Sequence, residues 1–251
     1  MNKSNISYDI IWTIPFFSDL NEQEKKGLIK LVHFKNYKRG EIIFLQGDKL
    51  KNVYWVCDGS VQMFRETPDG HELTASICIF AETLYYPNAV EKINKNHMMN
   101  ARAVSDVTLL EIPAIWIEES IRSCNHLANK FINIMANNTL EAMIDSEHQA
   151  TMSATQILAC FLQKICVNNN FNNLNFELPY TKSLIASRLG MELETLSRSL
   201  PKLIEHGITV NGKNVSFDDC NAIQQHSCDS CSISEECRYS KKIKEFCKER
   251  S

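Results

Sequence analysis

The first half of the chain carries short apolar runs separated by turn residues, and the second half carries apolar positions at helical spacing. Residues 18–31 predict a short helix, with Ser18 and Asp19 as caps and Leu20, Leu28, Ile29 and Leu31 as its apolar stripe. From about residue 35 the runs become β-rich: 41–45, 52–57, 60–66, 72–80 and 101–112. Gly40, Gly47-Asp48, Asp58-Gly59 and Pro68-Asp69-Gly70 lie between them. Several short strands with regular turns predict a sandwich, jelly roll or barrel. After Pro113 the texture changes. Residues 114–146 contain neither Gly nor Pro, and Ile117, Ile121, Leu127, Phe131, Ile134, Met135, Leu140, Met143 and Ile144 recur on one side. They predict one long helix, or two broken near 123–125. Its stripe needs a partner, either its own barrel or a second copy; a homodimer seam is the favoured expectation. A further amphipathic helix is expected over 153–167 with Ser153 as N-cap. Residues 168–175 read as a polar loop anchored by Phe171 and Leu174.

Residues 179–206 read as two helices around Gly190, which supplies the positive φ of a tight turn. Leu184, Ile185 and Leu189 fit the first helix. The second begins near Glu192, with Leu196, Leu200, Leu203 and Ile204 facing inward. Glu194, Thr195, Ser197 and Arg198 then occupy its early outer face. This is a helix-turn-helix pattern, in which the start of the second helix reaches base edges. Arg198 can donate a fork of hydrogen bonds to guanine, Glu194 can accept from cytosine, and Ser197 can serve base or phosphate. Lys182, Arg188, Lys202 and Lys213 are candidate phosphate contacts. Pro201 is expected to kink the second helix after its reading residues. Two short strands around Asn211-Gly212 follow and predict a hairpin, which makes the module a winged helix.

Composition adds a local contrast. The 251-residue chain has a net charge of −3, yet residues 179–217 hold five Lys or Arg against three Glu, a local +2. The amino terminus lacks the pattern of a secretory signal, and no apolar run reaches the roughly 18 residues that span a bilayer. A cytoplasmic location is expected, where thiols stay reduced. That bears on the tail, where Cys228, Cys231, Cys237 and Cys247 crowd together with Cys220 a little upstream. Uneven four-cysteine spacing with one Cys-x₂-Cys pair suits a [4Fe–4S] cluster; zinc is the alternative, with His226 as a further ligand. Cys220 is the alternative fourth ligand to Cys247, and an oxygen ligand from Asp145, Asp218 or Asp219 is conceivable. Cys57, Cys78, Cys160 and Cys166 lie in apolar patterns and are expected in the core. The basic helix expected after Cys237 reads as a solvated face.

Over roughly residues 14–217 these stretches resemble the Crp/Fnr superfamily of bacterial transcription regulators. Ile14-Pro-Phe-Phe-Ser-Asp-Leu-Asn-Glu-Gln-Glu24, Lys38-Arg-Gly-Glu-Ile-Ile-Phe-Leu-Gln-Gly-Asp48 and Val56-Cys-Asp-Gly-Ser-Val61 are similar to its opening helix and β-roll signatures. Glu194-Thr-Leu-Ser197-Arg198 resembles the recognition helix of the Fnr-like branch, which implies TTGAT-type half-sites and, as a partner, RNA polymerase. Members that bind cyclic AMP carry Gly-Glu-Leu and Arg-Ser in the roll. Here Phe80-Ala81-Glu82-Thr83-Leu84 and a stretch near His97-Met98 stand in those places, so cyclic-nucleotide binding is not expected. Arg102 is the nearest alternative cation.

The expected fold class is α+β: a β-roll with N-terminal helix (1–113), a dimerisation helix (114–150), a winged helix-turn-helix (151–218) and a Cys-rich tail (219–251). The expected function is a homodimeric DNA-binding regulator, not an enzyme, sensing oxygen, nitric oxide or redox state through the tail. The alternative is a regulator sensing a small molecule or haem in the roll, with His97, Met98 and Met99 as candidate haem ligands and a zinc-stabilised tail.

Overall fold

The computed structural model describes residues 7–84, 95–168, 174–219, 231–235 and 237–248. It divides into two compact units, Met1–Thr139 and Leu140–Ser251. The fold is α+β, as the alternation of patterns predicts.

In the first unit, α1 (Asp9–Thr13) and α2 (Glu22–Ile29) precede seven strands: β1 (His33–Tyr37), β2 (Ile42–Phe44), β3 (Asn52–Asp58), β4 (Val61–Glu66), β5 (Glu72–Cys78), β6 (Asn100–Ala103) and β7 (Val107–Pro113). They form two antiparallel sheets, β1-β7-β3 and β2-β6-β4-β5. Strand alternation explains why β3 reads as an unbroken apolar run. Val53, Trp55 and Cys57 face a core shared with Ile11, Ile14, Phe16 and Phe17, whereas Tyr54 and Val56 face the core between the sheets. Trp55 stacks on Phe16 at 5.3 Å and meets the edge of Phe17 at 4.9 Å. Gly59 turns β3 into β4 at φ 81°, and a Cβ there would lie 2.2 Å from the Asp106 carbonyl.

Three expectations need correction. Ser18 and Asp19 do not cap α2. Asn21 does, accepting from the Gln23 and Glu24 amides while the Glu24 carboxylate accepts from the Asn21 amide. Ile29 and Leu31 are exposed: Ile29 is the last residue of the helix and Leu31 lies beyond its end. The run 101–112 is two strands, β6 and β7, parted at 104–106. The strand β1 was not anticipated, since His33 and Asn36 dilute its apolar signal.

Two helices follow, α3 (Ala114–Ser123) and α4 (Asn125–Thr151), with the break at Cys124 where it was expected. The first unit's core takes Ile117 and Leu127 and packs Phe131, Ile134 and Met135. Ile132, Leu140 and Met143 on α4 are left exposed.

The second unit holds α5 (Ala154–Asn168), β8 (Asn175–Glu177), α6 (Lys182–Arg188), α7 (Leu193–Ser199), a 3-10 helix (Pro201–His206), β9 (Ile208–Asn211), β10 (Asn214–Phe217) and α8 (Arg238–Lys248). The antiparallel sheet runs β8-β10-β9; β8 lies next to the expected polar loop and was missed. Leu158, Leu162, Leu196, Leu203, Phe217 and Ile243 are among the side chains of its core.

Candidate nucleic-acid interface and cysteine tail

Thr181 caps α6 by accepting from the Leu184 amide. The chain then turns through Gly190 at φ 62° into α7, whose N-cap is Glu192. Leu196 and Leu203 point inward as expected and Leu200 is partly buried, but Ile204 is 59% exposed. The reason is Pro201. It does not kink a continuing helix; it occupies the start of a 3-10 helix, whose tighter winding rotates Ile204 out of the α-helical register.

Glu194, Ser197 and Arg198 stand together on the exposed face of α7, with Thr195 half-buried beside them. The Ser197 hydroxyl donates to the Leu193 carbonyl at 2.8 Å. Arg198 lies 3.7 Å from Glu194 one turn earlier, and both side chains are more than two-thirds exposed. Such a pair is worth little in water and opens readily to a ligand. Lys182, Lys202 and Lys213 are exposed. Lys213 lies in the β9–β10 turn, which is one residue later than expected: Gly212 and Lys213 form the loop, Asn211 pairs with Asn214, and Gly212 sits at φ 63°. Arg188 is placed differently. It is half-buried and donates to Asp145 at 2.6 Å.

That contact belongs to a network linking the end of α4 to the tail. Asp145 also faces Lys164 at 3.6 Å, Lys164 reaches Glu141 at 3.2 Å, and Glu141 receives Arg238 of α8 at 3.1 Å. Burial alone would raise the Asp145 carboxyl, but Arg188 and Lys164 outweigh it and hold the group below the usual carboxylate range. The Ser232 amide donates to Glu147 at 3.3 Å, and the Cys231 thiol lies 3.4 Å from His148 Nε2. Burial lowers the His148 imidazole, which favours its neutral form; burial raises the Cys231 thiol, and Cys237 adds to that rise. Cys237 precedes α8, while Cys247 packs at the edge of the second core. Cys228, Cys220 and His226 lie outside the described residues. Thiols and an imidazole suit a soft metal centre. Among the described residues, however, the tail cysteines do not draw three ligand atoms within 4.8 Å of one another; Glu24, Cys124 and His126 do. Sequence reasoning missed that group, because Glu24 is 100 residues from Cys124.

In the roll, Ala81 has φ 67°, the left-handed backbone that glycine takes without cost. Arg102 is paired with Glu72 and lies over the Phe64 ring at 4.5 Å, so an anionic ligand would have to compete for it. His97 is buried and stacks on Phe44 at 3.6 Å. Burial pushes its imidazole down to about 4, against a weaker opposing pull from Asp48. Between pH 6.5 and about 4 the unfolded chain therefore binds the proton that the folded roll refuses. Stability from this group is complete above pH 6.5 and is lost as pH falls through that window, by about 1–2 kcal/mol between pH 7 and pH 5. Urea midpoints followed by tryptophan fluorescence should fall less in His97→Gln than in the parent chain; equal slopes would contradict this account.

Among the described residues no helix is long and apolar enough to cross a membrane. Residues 34–123 match the family model of the cyclic nucleotide-binding domain, and residues 157–225 match that of the Crp-like helix-turn-helix domain. The chain is 25% identical over 218 residues to the Anaerobic regulatory protein of Haemophilus influenzae, covering 84% of this chain and 82% of that protein. Among solved structures, it is similar to a regulatory protein of Silicibacter pomeroyi described as cAMP-binding, at 27% identity and a TM-score of 0.60, over 86% of this chain and 95% of the other. FixK2 from Bradyrhizobium japonicum shares the fold at 18% identity and a TM-score of 0.66, over 78% of this chain and 98% of the other.

Proposed function

The chain is a Crp/Fnr-type transcription regulator with a cyclic nucleotide-binding domain and a Crp-like helix-turn-helix domain, and from that premise we propose that it acts in the cytoplasm as a homodimer on palindromic DNA with TTGAT-like half-sites, with RNA polymerase as a further partner, under the control of a metal centre in its cysteine tail. The observation that carries this reading is the attachment of the tail to α4. Cys231 meets His148, Ser232 meets Glu147 and Arg238 meets Glu141, all on the helix whose exposed Leu140 and Met143 suit a seam with a second copy. The Arg188–Asp145 bond ties the same stretch of α4 to the first helix of the DNA-reading pair. A tail that shifts here biases both the dimer seam and the posture of α6 and α7.

Cys228, Cys231, Cys237 and Cys247 would hold a [4Fe–4S] cluster, with Cys220 as the alternative to Cys247. When bound, the cluster supplies a centre sensitive to oxygen, nitric oxide and redox state. The chain's own residues fix the tail against α4, with His148 beside the Cys231 thiol. The similarity to a regulator named for anaerobic control supports the direction of this reading.

The test is binding to a palindromic duplex by protein purified without oxygen, before and after exposure to air, alongside its visible spectrum and iron and zinc content. The parent chain should contain iron, bleach in air and change its affinity by about 5–150-fold, the usual range of a coupling between two sites. Cys228→Ser/Cys231→Ser should bind DNA alike in both conditions. A colourless protein with stoichiometric zinc, or an oxygen response that survives the double change, rejects the cluster reading.

A further inference from the structure

The break between α3 and α4 brings together three metal-binding side chains outside the tail. Cys124 Sγ lies 2.9 Å from His126 Nδ1 and 3.8 Å from Glu24 Oε1, and all three residues are half-buried. Tetrahedral zinc, with bonds of about 2.3 Å to sulfur and about 2.0 Å to nitrogen or oxygen, sets its sulfur roughly 3.6 Å from each other ligand. The sulfur–oxygen spacing is already close to that value. The sulfur–nitrogen spacing needs a small rotation of an imidazole whose other nitrogen stands at 3.7 Å.

The supporting contacts hold the ligands in place. Glu24 uses its second oxygen, Oε2, to accept from the Asn21 amide at 2.8 Å, so the capping box of α2 orients the carboxylate and leaves Oε1 facing Cys124. Cys124 has an extended backbone between two helices, and its amide donates to the Ser120 carbonyl. His126 lies in the first turn of α4. One thiol, one imidazole and one carboxylate form a mixed set suited to zinc rather than to calcium or magnesium, which prefer oxygen alone.

We propose that Glu24, Cys124 and His126 bind a zinc ion that ties α2 to the junction from which α4 begins. Three protein ligands leave the fourth tetrahedral position to solvent, as in zinc sites that exchange ligands. The site lies in the first unit, so it is an input separate from the tail thiols. Loading it fixes the start of the helix that carries the exposed Ile132.

Cobalt(II) reports such a site through a thiolate charge-transfer band and visible ligand-field bands. In the full-length chain with Cys220, Cys228, Cys231, Cys237 and Cys247 changed to Ser, one equivalent of cobalt should bind, and zinc should displace it. Cys124→Ser should remove the charge-transfer band. His126→Ala and Glu24→Gln should each weaken binding by more than the roughly 10–100-fold typical of outer-shell partners; Glu24→Gln keeps an oxygen for the Asn21 amide and so separates ligand loss from cap loss. Should the tail-serine chain not fold, the intact chain serves: Cys124→Ser should lower its cobalt stoichiometry by one. A folded tail-serine chain that binds no cobalt, a band that survives Cys124→Ser, or an unchanged stoichiometry in the intact chain overturns the proposal. None of these outcomes bears on the oxygen response assigned to the tail.

Discussion

Asp145→Ala should destabilise the second unit by about 2–4 kcal/mol, somewhat below the roughly 3–5 kcal/mol of breaking a fully buried charge pair. The change removes the acceptor of Arg188 and one of two acidic partners of Lys164. Lys164 is 17% exposed and stays charged in the folded protein: burial would lower its amine, but Cys160, Asp145 and Glu141 together raise it. Deleting Asp145 leaves that cation with Glu141 and the face of Tyr239 at 5.5 Å, while Arg188 loses its bond of 2.6 Å. The lower range applies because Asp145 keeps 33% exposure, which lets solvent screen part of the loss. The effect also has a pH signature. The Asp145 carboxyl is depressed in the fold, so its contribution is complete above the unfolded value of 3.8 and fades as pH falls through the lower folded value. The gap between parent and variant should therefore narrow in acid.

The measurement can assign the loss to the correct unit. Trp12, Trp55 and Trp116 all lie in the first unit, so tryptophan fluorescence follows that unit, whereas far-ultraviolet circular dichroism follows helices of both. In urea, the circular-dichroism transition of Asp145→Ala should move to lower denaturant while the fluorescence transition stays. A shift below about 0.5 kcal/mol, ordinary for a surface substitution, would mean that the network does not hold α4, α6 and the tail together.

The contrast between Asp145 and Arg198 shows what could be read in the chain. Features set by local order were legible. The two helices around Gly190, the break at Cys124 and the strands on either side of Gly212 depend on turn conformations and apolar spacing within a few residues. Features set by distant partners were not. Arg188 has the composition of a phosphate contact, yet Asp145, 43 residues away, engages it. Glu24 looks like an ordinary capping residue until the fold brings Cys124 to it. Local order also misled where two rules competed. Ser18 and Asp19 are good caps, but Asn21 with Glu24 satisfies two amides reciprocally and sets the start of α2. Ile204 continues an apolar spacing of α-helical period, but Pro201 changes the period to three. For the tail, the cysteine spacing offers a candidate ligand set, while its attachment to Glu141, Glu147 and His148 required the fold.

Arg198→Ala should abolish most sequence-specific binding while leaving the fold intact. Arg198 is 69% exposed, and its ion pair with Glu194 spans 3.7 Å on the helix surface, so truncation removes a surface contact rather than a core one. On DNA, an arginine at this early position of the second helix can donate two hydrogen bonds to guanine, a pairing worth about 1–3 kcal/mol against the wrong base. A dimer places two such residues on a palindrome, so the loss is about 2–6 kcal/mol, or roughly 30-fold to 20,000-fold in affinity. Arg198→Lys distinguishes the fork from the charge: it should restore binding to unrelated DNA but not to the palindrome, because an ammonium cannot present two parallel donors. Lys213→Ala is the complementary case. Its amine sits in the turn of the wing and should contact phosphate, so the loss should be similar on every sequence and should lower the salt slope by about one for each contact removed. Titrations of a palindrome and a scrambled duplex at several salt concentrations would separate these effects. Equal losses of Arg198→Ala on both duplexes would remove Arg198 from base readout, and a salt slope unmoved by Lys213→Ala would remove the wing from the phosphate backbone.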